Sequence, residues 1–229
     1  MKRMIAIVAL ALAFCSTAFA GDVATLVNLG FSPDSAYFMF GFYGLDAANG
    51  KPYAEVYLVD TKKNDFAPGG AFKGMYGTEI QPGWDPAGGF YKLFSDAAPL
   101  ARKHKIDHLA QGRLVYLLIN GVEGPDALSF TDFDSGDQWS VALKETVEDK
   151  AGAISSSFGL EVSVMAKDGK KVSLKAGNPK IKRKGVTDYT IREIVVAPDG
   201  KTVVALIERV QKDAYGSSVH YMVEAFRLP

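Results

Sequence analysis

Phe31-Ser32-Pro33-Asp34-Ser35, then Tyr37-Phe38-Met39-Phe40, a polar loop and Ala54-Glu55-Val56-Tyr57-Leu58-Val59-Asp60, is the stretch that decides the fold, because its pattern occurs twice. The second copy runs Val196-Ala197-Pro198-Asp199-Gly200, then Thr202-Val203-Val204-Ala205-Leu206-Ile207, a polar loop and Val219-His220-Tyr221-Met222-Val223. The copies align without a gap at an offset of 165 residues, Pro33 matching Pro198. Each predicts a strand, a tight turn, a strand, a longer loop and a strand. Proline presets φ at the first corner of the turn, aspartate bonds the backbone that follows it, and glycine accepts a positive φ at the last corner. Ser35 stands where the second copy has Gly200, so the first turn is the less well specified.

Two further hairpins extend the pattern. Leu128-Ser129-Phe130-Thr131-Asp132, a turn at Phe133 to Asp137, and Trp139 to Leu143 echo the last hairpin of the first unit. Leu160 to Met165 and Lys171 to Leu174 are joined through Asp168-Gly169, a strong short-range hairpin signal.

These units resemble blades of a TolB-like β-propeller, which begin with such a Ser-Pro-Asp-Gly turn between apolar strands. If the offset spans four blades, each takes about 41 residues, within the usual range for propeller repeats. The resemblance implies a propeller-like fold of five units, the middle ones degenerate. The chain stops just after the last blade's third strand, so closure needs a borrowed strand or the last blade is short. An irregular β-sandwich carrying the same hairpins is the alternative. The segments Asn28 to Asp34, Pro52 to Tyr57 and Asn64 to Gly70 also resemble a family of predicted secreted bacterial proteins of unknown function. That resemblance implies export and supplies no activity.

Export is independently legible at the start of the chain. Met1-Lys2-Arg3 is a positive n-region, Met4 to Phe14 an apolar run, and Ala18-Phe19-Ala20 a small-residue cleavage site. Residues 1–20 therefore read as a cleaved signal peptide and residues 21–229 as one mainly β domain, periplasmic or secreted. A lipoprotein anchored at Cys15 is the competing reading, disfavoured by the bulky Phe14 before the cysteine. The apolar run is shorter than the roughly 20 residues a bilayer needs, and no later segment approaches that length, so no membrane span is expected. Cys15 is the chain's sole cysteine, so thiol catalysis and thiolate metal sites are excluded from the mature part. Without Lys2 and Arg3 the balance is 24 basic to 26 acidic residues, which gives no reason to expect nucleic acid.

Phe66 to Phe94 holds seven glycines, three prolines and seven aromatics, and reads as a long ordered loop. A helix is expected from Ala97 or Pro99 to Gln111, with Pro99 in its first turn and Gly112 at its end. That helix would put His104 and His108 on one face with Asp107 beside them. A zinc site of the metalloprotease type needs glutamate next to the first histidine, where Lys105 stands, so solvated side chains are expected and no metal or cofactor. Asp132, Asp134 and Asp137 surround Ser135-Gly136 in an order that fits a hairpin turn rather than a calcium loop. In the basic segment Lys170 to Lys184 the alternation Lys180-Ile181-Lys182 suits an exposed edge strand better than an anion site. There is no G-x-S-x-G elbow, phosphate loop or dinucleotide fingerprint.

The candidate contact residues are Tyr76, Trp84 and Tyr91, amphipathic aromatics among glycines and prolines, suited to a sugar or a partner protein. The sequence thus points to an exported, non-enzymatic binding module whose partner is an envelope protein or glycan. The alternatives are an envelope glycan hydrolase using paired carboxylates and a structural envelope protein.

Overall fold

The computed structural model describes residues 21–81, 83–119, 124–213 and 215–229. The signal-peptide and Cys15 readings lie outside the described residues. The described residues are mainly β, in three open antiparallel sheets with one helix.

Both repeats fold as three-stranded meanders. The first comprises β1 (Thr25–Phe31), β2 (Tyr37–Leu45) and β3 (Pro52–Asp60), and β4 (Asp65–Met75) extends it to a four-stranded sheet, sheet 1. After it come α1 (Ala87–Lys103) and β5 (Arg113–Leu117). β6 (Ala127–Thr131), β7 (Gln138–Lys150), β8 (Ala153–Met165), β9 (Lys171–Ala176) and β10 (Arg183–Lys184) form sheet 2. The second repeat comprises β11 (Val186–Val196), β12 (Thr202–Asp213) and β13 (Gly216–Arg227); with β5 beside β11 it forms sheet 3. β5 comes from between the repeats and adds beside β11, the first strand of the second repeat, while β13 stays at the sheet edge; all three sheets are open.

The two turns share their bonding. Ser35 N–H donates to Ser32 O at 2.8 Å, and Gly200 N–H to Ala197 O at 2.9 Å. Their φ values are +54° and +69°, so the serine occupies a left-handed conformation that costs an L side chain energy. Asp34 and Asp199 each accept a backbone N–H two residues on, as the turn chemistry requires. The turns also meet, because Asp199 N–H donates to Ser35 Oγ at 3.3 Å.

The sheets stack front to back. Phe31, Phe38, Phe40, Phe42 and Tyr57 face sheet 3, packing on Val204, Leu206 and Tyr221. Their counterparts at the repeat offset, Val196, Val203, Ala205, Ile207 and Met222, face sheet 2 and meet Trp139, Val141, Phe158, Leu160 and Val162. The opposite face of sheet 1, Met39, Val56 and Leu58, is covered by α1 through Phe90, Leu93, Ala97 and Ala101. Because strand side chains alternate, sheet 3 is apolar on both faces and reads as a near-continuous hydrophobic run. Ser140, Glu161, Ser163 and Lys175 line a shallow groove on sheet 2. The described residues thus make three sheets where the offset suggested five units.

The helix differs from expectation at both ends. It begins at Ala87, whose N–H bonds Asp85 Oδ1 at 2.9 Å, and ends at Lys103. Pro99 lies in its interior. Burial of Phe90, Leu93, Ala97 and Ala101 at helical spacing outweighs the backbone bond that proline removes. Gly41 permits the contact, since a Cβ there would meet Glu55 O at 2.6 Å and the Phe90 ring at 2.7 Å. The expected long loop, Phe66 to Phe94, is instead β4, a connector and the first half of α1. Its glycines and prolines mislead because Pro68 sits in an edge strand, where a missing donor is tolerated.

Candidate functional site

Two clefts in the described residues carry convergent polar chemistry, and both lie against sheet 3. The first, of about 410 Å³, opens between the two repeats at the end opposite their Pro-Asp turns. Sheet 1 supplies Tyr53, Glu55, Lys73 and Met75, and sheet 3 supplies Gln211, Lys212, Ser218 and His220. Asp22 joins them because the chain ahead of β1 crosses to β13: Ala24 N–H donates to Val219 O at 3.0 Å and Val219 N–H to Asp22 O at 2.7 Å.

Asp22 is the centre of this site. Its carboxylate accepts the Tyr53 phenol, and His220 Nε2 lies 3.8 Å from the same oxygen. The imidazole is held by stacking on Phe42 at 5.4 Å and by an edge contact with Tyr53 at 5.3 Å. Glu55 repeats the arrangement, accepting the Tyr57 phenol and Lys73 Nζ at 3.2 Å. Burial and then the neighbouring carboxylates push both phenols far above the usual tyrosine range, so they are neutral donors. Tyr221, buried behind them, is pushed up to about 12 for the same first reason. The cleft therefore offers fixed carboxylate acceptors beside an imidazole, an ammonium and an amide.

The aromatic residues singled out in the sequence lie on the helix side of the same end of sheet 1. Tyr76 lines a smaller cleft of about 190 Å³ with Pro52, Asp85, Gly89 and Lys92, whose ammonium sits 5.3 Å over its ring. Trp84 and Tyr91 line neither cleft and are 62% and 67% exposed. Pro52 and Tyr53 are neighbours in β3, as are Met75 and Tyr76 around the end of β4, so the two clefts share a rim.

The histidine pair does not form. His104 caps the end of α1 and packs edge-on to Tyr37 at 4.2 Å. His108 lies beyond the helix, with Nδ1 2.6 Å from Leu29 O. Asp132 organises the β6–β7 turn, accepting Arg113 Nη1 and Nη2, Asp134 N–H and Ser135 Oγ. Of the lysines between 170 and 184, Lys175 pairs with Glu161, Lys170 with Asp168 and Lys182 with Glu148. Lys180-Ile181-Lys182 is turn and coil ahead of β10 rather than the expected edge strand, because Asn178 accepts the backbone N–H groups of Lys180 and Ile181 in a local turn.

Sequence reasoning missed Asp22, Tyr53, Lys73 and His220 as a group. Tyr53, Glu55 and His220 fall in the third strands of the repeats, and only stacking of the two sheets brings them together. The second of the two clefts, of about 430 Å³, lies between Asn64, Gly177, Arg183 and Glu224.

No helix among the described residues is long and apolar enough to cross a membrane. No curated protein matches the chain. A family described as predicted secreted protein (DUF2259) matches residues 39–227, from within β2 of the first repeat to the end of the second. The chain belongs to this family of predicted secreted proteins, DUF2259.

Proposed function

We propose that this protein is an extracytoplasmic binding module that holds a small polar ligand, a glycan by its chemistry, in the cleft between its two repeats. On this reading the three stacked sheets are a propeller-like scaffold, the signal peptide is removed after Ala20, and the module works in the periplasm or beyond it. The observation that carries the proposal is the convergence of Asp22, Tyr53, Glu55, Lys73 and His220 from two sheets on one cleft of about 410 Å³. Carboxylates fixed by phenols accept ligand hydroxyls without reorganising, and the rings of Tyr53 and His220 supply flat apolar surface. Tyr76, Trp84 and Tyr91 extend that surface over the shared rim.

The test is calorimetric titration of residues 21–229 with a panel of neutral and acidic oligosaccharides, repeated on Asp22→Asn and His220→Ala. One saccharide class should bind the wild type and lose about tenfold or more on Asp22→Asn, since a charged acceptor is replaced by a neutral amide. Binding that both substitutions leave untouched would remove the cleft from the reading. Release of reducing ends from the same saccharides would replace binding by hydrolysis.

A further inference from the structure

The second cleft contains the more informative conflict between sequence and position. Glu224 lies in β13 between Met222 and Phe226, both packed against the sheet 2 core, and it is only 5% exposed. At the repeat offset its counterpart is Val59, an apolar residue on the equivalent face of sheet 1. A carboxylate thus occupies a position the fold fills with valine elsewhere. Burying it costs free energy that a well-packed apolar side chain would not, and such conflicts between local and global preference concentrate at functional positions.

The surroundings are built around this carboxylate. Asn64, in the β3–β4 turn, accepts Ala225 N–H on its Oδ1 at 2.6 Å, which turns its amide nitrogen toward Glu224 Oε2. Among the described residues the other oxygen, Oε1, accepts no hydrogen bond. Gly177, after β9, closes over the group: a Cβ added there would lie 3.6 Å from Glu224 Cδ. Across the cleft is Arg183, whose guanidinium is stacked 5.3 Å from the Phe158 ring centre and 5.9 Å from that of Tyr189. Its Nη1 donates to Ile181 O at 3.4 Å, and its charge acts on Glu224 across the cleft without the two forming a direct ion pair. The remaining charged lining groups are Lys63, tied to Asp60 at 3.1 Å, and Asp65. Phe66, Ile181, Met222 and Val223 supply apolar walls.

We propose that this cleft is a second ligand site, for a small zwitterion of the amino-acid type: Glu224 takes the ammonium and Arg183 the carboxylate. A simple cation would face Arg183 and Lys63, and a simple anion would face Glu224 and Asp65; a molecule carrying both charges satisfies both walls. The planar guanidinium suits bidentate carboxylate recognition, and the apolar walls accommodate a short side chain. Three sheets border the site through the β3–β4 turn, the β9–β10 segment and β13, so occupancy would tie them together.

The experiment is an amide NMR titration of residues 21–229 with alanine, N-acetylalanine and alanine methyl ester, on the wild type, Glu224→Gln, Glu224→Val and Arg183→Met. Alanine should shift Asn64, Asn178 and Glu224 amides saturably in the wild type, while the two blocked compounds, each lacking one charge, should not. Glu224→Gln keeps the shape and the Asn64 contact and should weaken alanine by about tenfold or more, charged hydrogen bonds being the strong ones. Glu224→Val installs the residue of the first repeat and should fold, with a melting temperature at or above wild type, yet bind no alanine. Arg183→Met should lose alanine likewise. The proposal is overturned if no probe shifts these amides at millimolar concentration, if N-acetylalanine and alanine bind alike, or if Glu224→Val still binds. Shifts confined to Gln211, Ser218 and His220 would also overturn it, by placing the zwitterion in the cleft between the repeats.

Discussion

Sheets 1 and 3 are the same meander with the same turn, yet they end in different surroundings. Sheet 1 adds β4 directly after β3, and α1 covers its outer face. Sheet 3 takes β5 from an earlier part of the chain beside β11 and is covered by sheets on both faces. The repeat therefore specifies a three-stranded unit and no more. What completes it depends on the faces it leaves exposed. Sheet 1 has large aromatics on its inner face, Phe38, Phe40 and Phe42, where sheet 3 has Val203, Ala205 and Ile207. The phenylalanines span the gap to sheet 3 alone, whereas the smaller set meets Trp139 and Phe158 arriving from sheet 2.

The largest break in this comparison should come from the aromatic side. Phe40 is 1% exposed and stacks on Tyr57 at 5.3 Å, so Phe40→Ala should cost about 3–5 kcal/mol by leaving a cavity between the repeats. Its counterpart, Ala205→Gly, removes a single methyl and should cost about 1 kcal/mol or slightly more, chiefly through the backbone. Chemical denaturation of both variants measures the asymmetry. Equal losses would mean that the two inner faces are loaded alike.

Two buried carboxylates should give opposite responses to pH. Hydrogen bonding to Arg113 holds Asp132 below the usual aspartate range. Its stabilisation is full above the unfolded value of about 3.9 and is lost as pH falls through the lower folded value. Burial pushes Glu224 up. Its protonated form favours folding below the unfolded value of about 4.3, and stability falls as pH rises through the higher folded value. Denaturation midpoints from about pH 2 to 7 should lose the acid-side slope in Asp132→Asn and the opposite slope in Glu224→Gln, each at about 1.4 kcal/mol per pKa unit. Parallel profiles for the two variants would break the assignment of opposite signs.

A smaller effect sharpens the turn comparison. Ser35 holds φ +54° where Gly200 holds +69°, so Ser35→Gly removes left-handed strain. It also loses the 3.3 Å contact from Asp199 N–H and loosens the unfolded chain. These oppose one another, and the net gain should be about 0.5 kcal/mol or less in a thermal melt. A loss above that would show that the contact between turns matters more than the strain.

The two meanders were legible because turn chemistry and strand alternation are local, and Pro33-Asp34 and Pro198-Asp199 carry both signals within a few residues. The position of α1 was not. Pro99 is a start signal in isolation, and only the sheet that Phe90 and Leu93 pack against explains a helix that begins twelve residues earlier, at Ala87. The cleft residues were hidden for a related reason. Asp22 precedes the first strand and His220 lies in the last, and their proximity follows from the bridge between Val23 and Val219. Glu224 had a local signal after all: it is the charged member of a repeat pair whose other member is Val59.

The smallest expected change in stability belongs to Trp84, and it separates the rim from the cores. An indole that capped the β core would be buried, and its removal would cost about 3–5 kcal/mol. Trp84 is instead 62% exposed, and its backbone N–H donates to Gln81 O at 3.0 Å in the connector ahead of α1. Trp84→Ala should therefore change stability by about 0.5 kcal/mol or less. If the rim extends the glycan surface, the same variant should lose much of the affinity of whichever saccharide binds the cleft, about 2 kcal/mol for an aromatic anchor. Melting temperature and saccharide affinity measured on one variant test both parts. A large drop in melting temperature would return Trp84 to the core, whereas unchanged melting with unchanged affinity would confine recognition to the cleft between the repeats.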